Sequence, residues 1–151
     1  MLLTKKELIN KETAAKLWSL SQRAYANGSP WTVDQFAEDL LQDHSEYLLL
    51  TEDEQWLGFV GFHFVLDEAE IQHVVVRKDQ QHCGVGLRLM AALKEHLRRM
   101  AIQQVFLEVR TSNLAAQKLY KKTGFRKVAI RKNYYQQPQE NAHVMCAKLR
   151  K

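Results

Sequence analysis

Apolar residues recur along this chain with two different periods, and the alternation between them divides it into helices and strands. Leu2–Thr4 is a short apolar run that predicts an opening strand. Ala15, Leu17, Trp18, Ser21 and Tyr25 recur at helical spacing and predict a helix over Glu12–Tyr25. Thr32 followed by Gln35 has the form of a capping box, in which each side chain satisfies a free backbone N–H of the other, so a helix is expected from there to about Leu41. Glu46–Glu52, Gln55–Val65 and Ala69–Arg77 are short runs rich in Leu, Val, Ile and Phe, broken by acidic turn residues, and predict an antiparallel meander. Gly84–Met100 is the most strongly periodic segment, with Leu87, Met90, Ala91, Leu93, Leu97 and Met100 on one helical face. Gln104–Arg110 reads as a strand, Asn113–Thr123 as a helix, and Phe125–Asn133 with Ala142–Leu149 as a closing strand pair. The order is strand, two helices, three strands, helix, strand, helix, two strands. That is an α/β pattern with a mixed sheet, because a strand–helix–strand crossover requires some parallel pairing.

At 151 residues the chain fits one domain, 1–151, with no repeat and no linker; the loop-rich patches are Asn27–Pro30 and Gln136–Asn141. A hydrophobic content of 46% with 26% charged residues is that of an ordinary globular protein. No apolar run approaches the ~20 residues of a membrane span, and Met1–Glu7 lacks the basic-then-apolar order of a signal peptide, so neither membrane nor export is expected. Cys83 and Cys146 have no metal-ligand spacing and form no disulfide framework, so no metal is expected and a reducing cytoplasm suits them. The net charge of +5 favours anionic partners: nucleic acid, a ribosome or phosphorylated small molecules. Its basic residues are scattered, and the ending Lys148–Lys151 reads as a solvated tail.

The most informative stretch is Gln81-His82-Cys83-Gly84-Val85-Gly86-Leu87, which joins the apolar run Ile71–Val76 to the long helix. A strand that turns through two glycines into a helix directs several peptide N–H groups at one point, where the helix dipole favours an anion, and glycine lets a ligand approach the backbone. A nucleotide-hydrolysing loop would need Gly-Lys-Ser or Gly-Lys-Thr, whereas Leu87-Arg88 follows Gly86. A dinucleotide fingerprint would need a third glycine, and Arg88-Leu89 stands there instead. The remaining common occupant is the pyrophosphate of coenzyme A; a plain connector is the alternative.

With a Gln-x-x-Gly-x-Gly turn opening the central helix, this order of elements resembles the GNAT superfamily of N-acetyltransferases. Leu107–Ala116 is similar to the family's Leu-Glu-Val-Arg-x-Ser-Asn-x-x-Ala segment, and Leu119–Phe125 to its Leu-Tyr-x-x-x-Gly-Phe. Arg131-Lys132-Asn133-Tyr134-Tyr135 resembles the Arg-x-Asn-Tyr-Tyr of one branch, which acetylates the N-terminal alanine of a small-subunit ribosomal protein. His82 and Cys83 depart from the family's usual Arg or Gly and polar residue, and Asn27–Pro30 is an insertion near the expected acceptor groove. The resemblance implies a mixed, mostly antiparallel twisted sheet of about seven strands flanked by about four helices. It also implies acetyl-CoA as cosubstrate, held by Gln81, His82, Cys83, Gly84, Val85, Gly86 and Leu87, with no metal.

By the same resemblance, Val74, Val75 and Val76 lie along the pantetheine arm, where a backbone N–H polarises the acetyl carbonyl, and Asn113 bonds that arm. Glu108 is the one carboxylate in the apolar strand Val105–Val109. Burial would raise its pKa and suit it to act as general base, directly or through water. The alternative is a salt bridge to Arg110 or Arg77 on a solvated face. Tyr120 is the implied general acid, although a tyrosine on an amphipathic helix also serves as core. Tyr134 and Tyr135 are placed in the acceptor groove, or simply pack the terminal hairpin; His73 is a second base or a locally bonded histidine. The acceptor implied is a protein or peptide N-terminus, that of a ribosomal protein in the branch it resembles, with no direct nucleic-acid binding required. The rival readings are a GNAT enzyme for a small amine or a lysine side chain, and a ribosome- or RNA-binding module that has lost catalysis.

Overall fold

The computed structural model describes residues 1–149, so Arg150 and Lys151 of the basic ending lie outside the described residues. Its elements are β1 (Leu2–Thr4), α1 (Lys5–Leu8), α2 (Thr13–Ala24), α3 (Val33–Leu40), β2 (Ser45–Glu52), β3 (Gln55–Val65), β4 (Glu68–Val76), α4 (Val85–Arg99), β5 (Gln104–Arg110), α5 (Leu114–Lys122), β6 (Arg126–Tyr135) and β7 (Glu140–Lys148). The expected order holds, with one correction: α1 makes five α-helices rather than four, and three rather than two follow the opening strand. Four residues are barely one turn and carry no periodic signal; a capping box between Thr4 and Glu7 holds α1 together. The box predicted at Thr32 and Gln35 is present, with each side chain accepting the other's N–H at 3.2 and 2.9 Å.

The strands form one seven-stranded sheet in the order β1-β2-β3-β4-β5-β7-β6. Every neighbouring pair is antiparallel except β4 and β5, which are parallel. Both faces of its centre are covered, and β2 shows why: Tyr47 and Leu49 pack with α2 and α3, while Leu48 and Leu50 pack with α4 on the other face. On α4, Leu89, Met90, Leu93 and Leu97 are completely buried. Truncating any one to alanine is expected to cost about 2–5 kcal/mol. Tyr47 donates to Asp39 at 2.6 Å, and His63 pairs with the same carboxylate at 2.5 Å, which ties α3 to β2 and β3.

β4 carries a bulge. Gly61 opposes His73 and Phe62 opposes Ile71, so Gln72 is the extra residue. The bulge inverts the facing of β4: Ala69 and Ile71 join the α4 cluster before it, and Val74 and Val76 join it after. The pairing of β4 with β5 covers only Glu68–Glu70 against Gln104–Phe106, and beyond it the two strands part.

Candidate active site

The turn leaving β4 is held from below. Gln81 Nε2 donates to the Val76 carbonyl at 3.2 Å, and Arg77 is fixed by Asp79 at 2.6 Å. The Gln81 side chain therefore ties the turn to β4. A single 3-10 turn over Lys78–Gln80 leads to His82 at φ +65° and Gly84 at φ +86°, and α4 begins at Val85. Among the described residues, the N–H groups of His82, Gly84, Val85, Gly86 and Leu87 have no acceptor, and all lie at or beside the positive end of a 15-residue helix. A Cβ built on Gly84 would meet nothing within 4 Å, so this glycine provides both the left-handed turn and open space in front of the free amides. Gly86 is different: its Cβ would stand 3.0 Å from Leu119 Cδ2, so this glycine lets α5 pack against α4 rather than clearing room for a ligand. His82 and Cys83 are exposed.

Beside the turn lies the gap between β4 and β5. Arg77 N–H donates to the Leu57 carbonyl at 2.8 Å, which fixes the hydrogen-bonding phase of β4 against β3. In an antiparallel ladder that phase alternates. Val75 and His73 therefore bond β3, while the N–H and C=O groups of Val74 and Val76 point into the gap. Of the three valines expected along the pantetheine arm, Val74 and Val76 thus present backbone to the gap, whereas Val75 is buried on the α2–α3 face with its backbone in the ladder. The Val74 N–H faces the Tyr25 phenol, which burial pushes up to about 12.

Glu108 projects from β5 opposite Leu107 and Val109, onto the face shared with α2 and α3. Its partner is neither Arg110 nor Arg77: Arg110 binds Glu140 at 3.1 Å, Arg77 binds Asp79, and Arg131 Nη1 from β6 lies 3.8 Å from Glu108 Oε1. Glu70 stands beside Phe106 in the parallel register, and so on the same face as Glu108. Burial raises the Glu108 pKa above the usual carboxylate range, the Glu70 charge raises it further, and Arg131 opposes both. The Arg131 guanidinium lies 5.1 Å over the Tyr134 ring, and Arg110 lies 4.5 Å over that of Tyr135.

Tyr120 approaches from the other face. It is buried against Phe125, and burial lifts its phenol well above the ordinary value, with the Tyr25 and Tyr135 phenols adding to the rise. Asn113 caps α5 by accepting the Ala116 N–H at 3.1 Å through Oδ1, which leaves its Nδ2 donors for a ligand. The turn before it is clamped by Glu140, which accepts from Ser112 N–H at 2.6 Å and from Thr111 and Arg110 at 3.1 Å each, drawing its pKa down to about 2. His73 is buried, its ring nitrogens have no partner among the described residues, and its pKa is lowered to about 4 by burial among Trp31, Phe36 and Phe59.

The sequence reading did not single out Glu70, Glu140 or the placement of Tyr25. For Glu70 a signal existed, since Glu68 and Glu70 alternate with Ala69 and Ile71 at strand period. Among the described residues no group of His, Cys, Asp and Glu could hold a metal, and no helix is long and apolar enough to cross a membrane.

Residues 12–125 match the family described as Acetyltransferase (GNAT) family. The chain is 36% identical over 137 residues to the [ribosomal protein bS18]-alanine N-acetyltransferase of Haemophilus influenzae, covering 89% of this chain and 91% of that one. The crystal structure of the ribosomal-protein-S18-alanine N-acetyltransferase from Escherichia coli superposes with a TM-score of 0.87 at 29% identity, covering 100% of this chain and 96% of the other. An acetyltransferase from Bacillus anthracis, solved in complex with acetyl coenzyme A, shares the fold with a TM-score of 0.65 at 24% identity, over 74% of this chain and 66% of that one.

Proposed function

Because the chain belongs to the acetyltransferase (GNAT) family and is an N-acetyltransferase that uses acetyl-CoA, we propose that its acceptor is a protein N-terminus, the terminal alanine of small-subunit ribosomal protein bS18. We assign Glu108 as general base and Tyr120 as general acid. What supports the assignment is that Glu108 lies on β5 with its pKa raised by burial and by Glu70, while Tyr120 belongs to the buried cluster on the opposite, α4 face of the sheet with its phenol held protonated. Relatives bearing the bS18-alanine name at 34–36% identity support the choice of acceptor.

The residues fit acetyl-CoA. The free amides at Gly84–Leu87 suit a diphosphate, and the outward N–H groups of Val74 and Val76 suit a carbonyl-rich arm and the acyl oxygen. Acetyl-CoA supplies a thioester carbonyl and a thiolate leaving group. Glu108 takes the proton of the incoming ammonium, directly or through water, so that the nitrogen lone pair can attack. As the carbon–sulfur bond breaks, Tyr120 would give its proton to sulfur. Burial keeps that phenol protonated until then. The second proton of the former ammonium, now on the acylated nitrogen, would pass to the resulting tyrosinate, directly or through water, leaving a neutral amide. An N-terminal amine, with a pKa near 7.7–8.0 against 10.4 for lysine, offers roughly 400-fold more free base at neutral pH, so one carboxylate suffices.

Mass spectrometry of an alanine-initiated bS18 peptide incubated with acetyl-CoA tests the reading. Acetylation of the alanine amine alone is expected, and transfer only to lysine, or only to a polyamine offered in competition, would refute it. Glu108→Gln and Tyr120→Phe should each lower turnover at least 100-fold with coenzyme affinity unchanged.

A further inference from the structure

One groove next to the turn has no role in acyl transfer. It has a volume of about 460 Å³ and is lined by Leu87, Ala91, Lys94, Lys122, Thr123 and Gly124. Leu87, Ala91 and Lys94 are spaced four and three residues apart, so they form one stripe down α4 that starts at the free amides. Lys94 Nζ rests at the C-terminal end of α5, where a Cβ on Gly124 would come within 2.6 Å of it.

The cations here lack counter-ions. Arg88 pairs with Glu52 and Arg99 with Glu95, whereas among the described residues Lys94, Arg98 and Lys122 meet no carboxylate. Burial and the Arg98 charge both lower the Lys94 pKa. Thr123 is not a free donor, since its hydroxyl bonds the Leu119 and Tyr120 carbonyls at 3.0 and 3.1 Å. What the groove offers is an apolar floor at Leu87 and Ala91 leading to two lysines.

We propose that this groove receives the nucleotide end of acetyl-CoA, with Lys94 and Lys122 binding its ribose 3′-phosphate. The inference rests on the turn holding the diphosphate of the same molecule. A ribose separates the two phosphate groups, and the groove leads away from the amides in that direction. Lys94 lies nine residues beyond Val85, about 13 Å along the axis, and its side chain leans back toward the helix N-terminus. A phosphate monoester is the anion best matched to two unpaired ammonium groups.

Calorimetric titration of CoA and of 3′-dephospho-CoA into the wild type, Lys94→Met and Lys122→Met tests the assignment. Wild type should bind CoA roughly tenfold more tightly or better, the size expected for hydrogen bonds to a charged group. Each methionine variant should lose most of that preference while binding 3′-dephospho-CoA as wild type does. Equal affinity of wild type for the two ligands, or an equal loss of both in the variants, would overturn the proposal. Absence of binding by either ligand would overturn the diphosphate reading of the turn along with it. Lys122 is exposed at the end of α5, so its variant keeps the test open even if Lys94→Met fails to fold.

Discussion

Replacing Gly84 with alanine separates the strain of the turn from its use. At φ +86° a Cβ costs about 1–2 kcal/mol. The new methyl would touch no heavy atom within 4 Å, so no packing is lost and that strain is the whole cost to stability. For a chain of this size the melting temperature should fall by about 2–8 °C. The methyl would, however, occupy the open space before the free amides of the turn. A hydrogen bond to a charged oxygen is worth about 1.5–3 kcal/mol. Keeping a diphosphate from two of them should weaken acetyl-CoA binding roughly 100-fold or more. Gly86→Ala is the internal comparison. Alanine gains about 1 kcal/mol inside a helix. Its Cβ would crowd Leu119 at 3.0 Å, a side-chain terminus that can yield. The two effects offset, so stability and affinity should both stay near wild type. Thermal melts and calorimetric titration of acetyl-CoA read both variants. Undiminished affinity in Gly84→Ala, or a larger loss in Gly86→Ala, would refute the reasoning.

The electrostatics around Glu108 predict a pair of opposite shifts. Glu70→Gln removes a like charge and should move the acidic limb of kcat/KM to lower pH, whereas Arg131→Gln removes a favourable one and should move it higher. A limb unmoved in both variants would exclude Glu108 as the titrating base. Glu140, with its pKa drawn from 4.5 to about 2, stabilises the fold above pH 4.5 and loses that contribution as pH falls toward 2. Glu140→Gln should therefore melt below wild type at neutral pH, with the difference closing in that acid window; a constant difference across it would contradict the clamp.

Elements whose signals are local were legible from sequence. The capping box at Thr32, the strand limits Gln55–Val65 and Gln104–Arg110, and the turn into α4 each depend on residues within a few positions of one another. What escaped was set by pairing between distant segments. Arg131 reaches Glu108 because β7 lies between β5 and β6, a neighbourhood that neither strand's own pattern encodes. Gly86 carries the same glycine signature as Gly84, and only the approach of Leu119 tells the two apart. The division of labour among Val74, Val75 and Val76 follows from one inserted residue, Gln72, which no alternation of hydrophobicity announces. Glu140 sits in a polar hairpin return where any acid would pass as solvated, and its three donors come from 28–30 residues upstream.

The three-pair seam between β4 and β5 has a consequence for solubility. Strands that part in mid-sheet expose bare main-chain edges, the feature by which β proteins adhere to one another. Here those edges face each other within the molecule, with α2 packed on one side of β4 and α4 on the other. A second sheet would have to displace those helices to pair with either edge. Main-chain hydrogen-bonding groups are thereby held in the middle of the sheet, where an extended ligand could meet them, without adding a free outer border to the sheet.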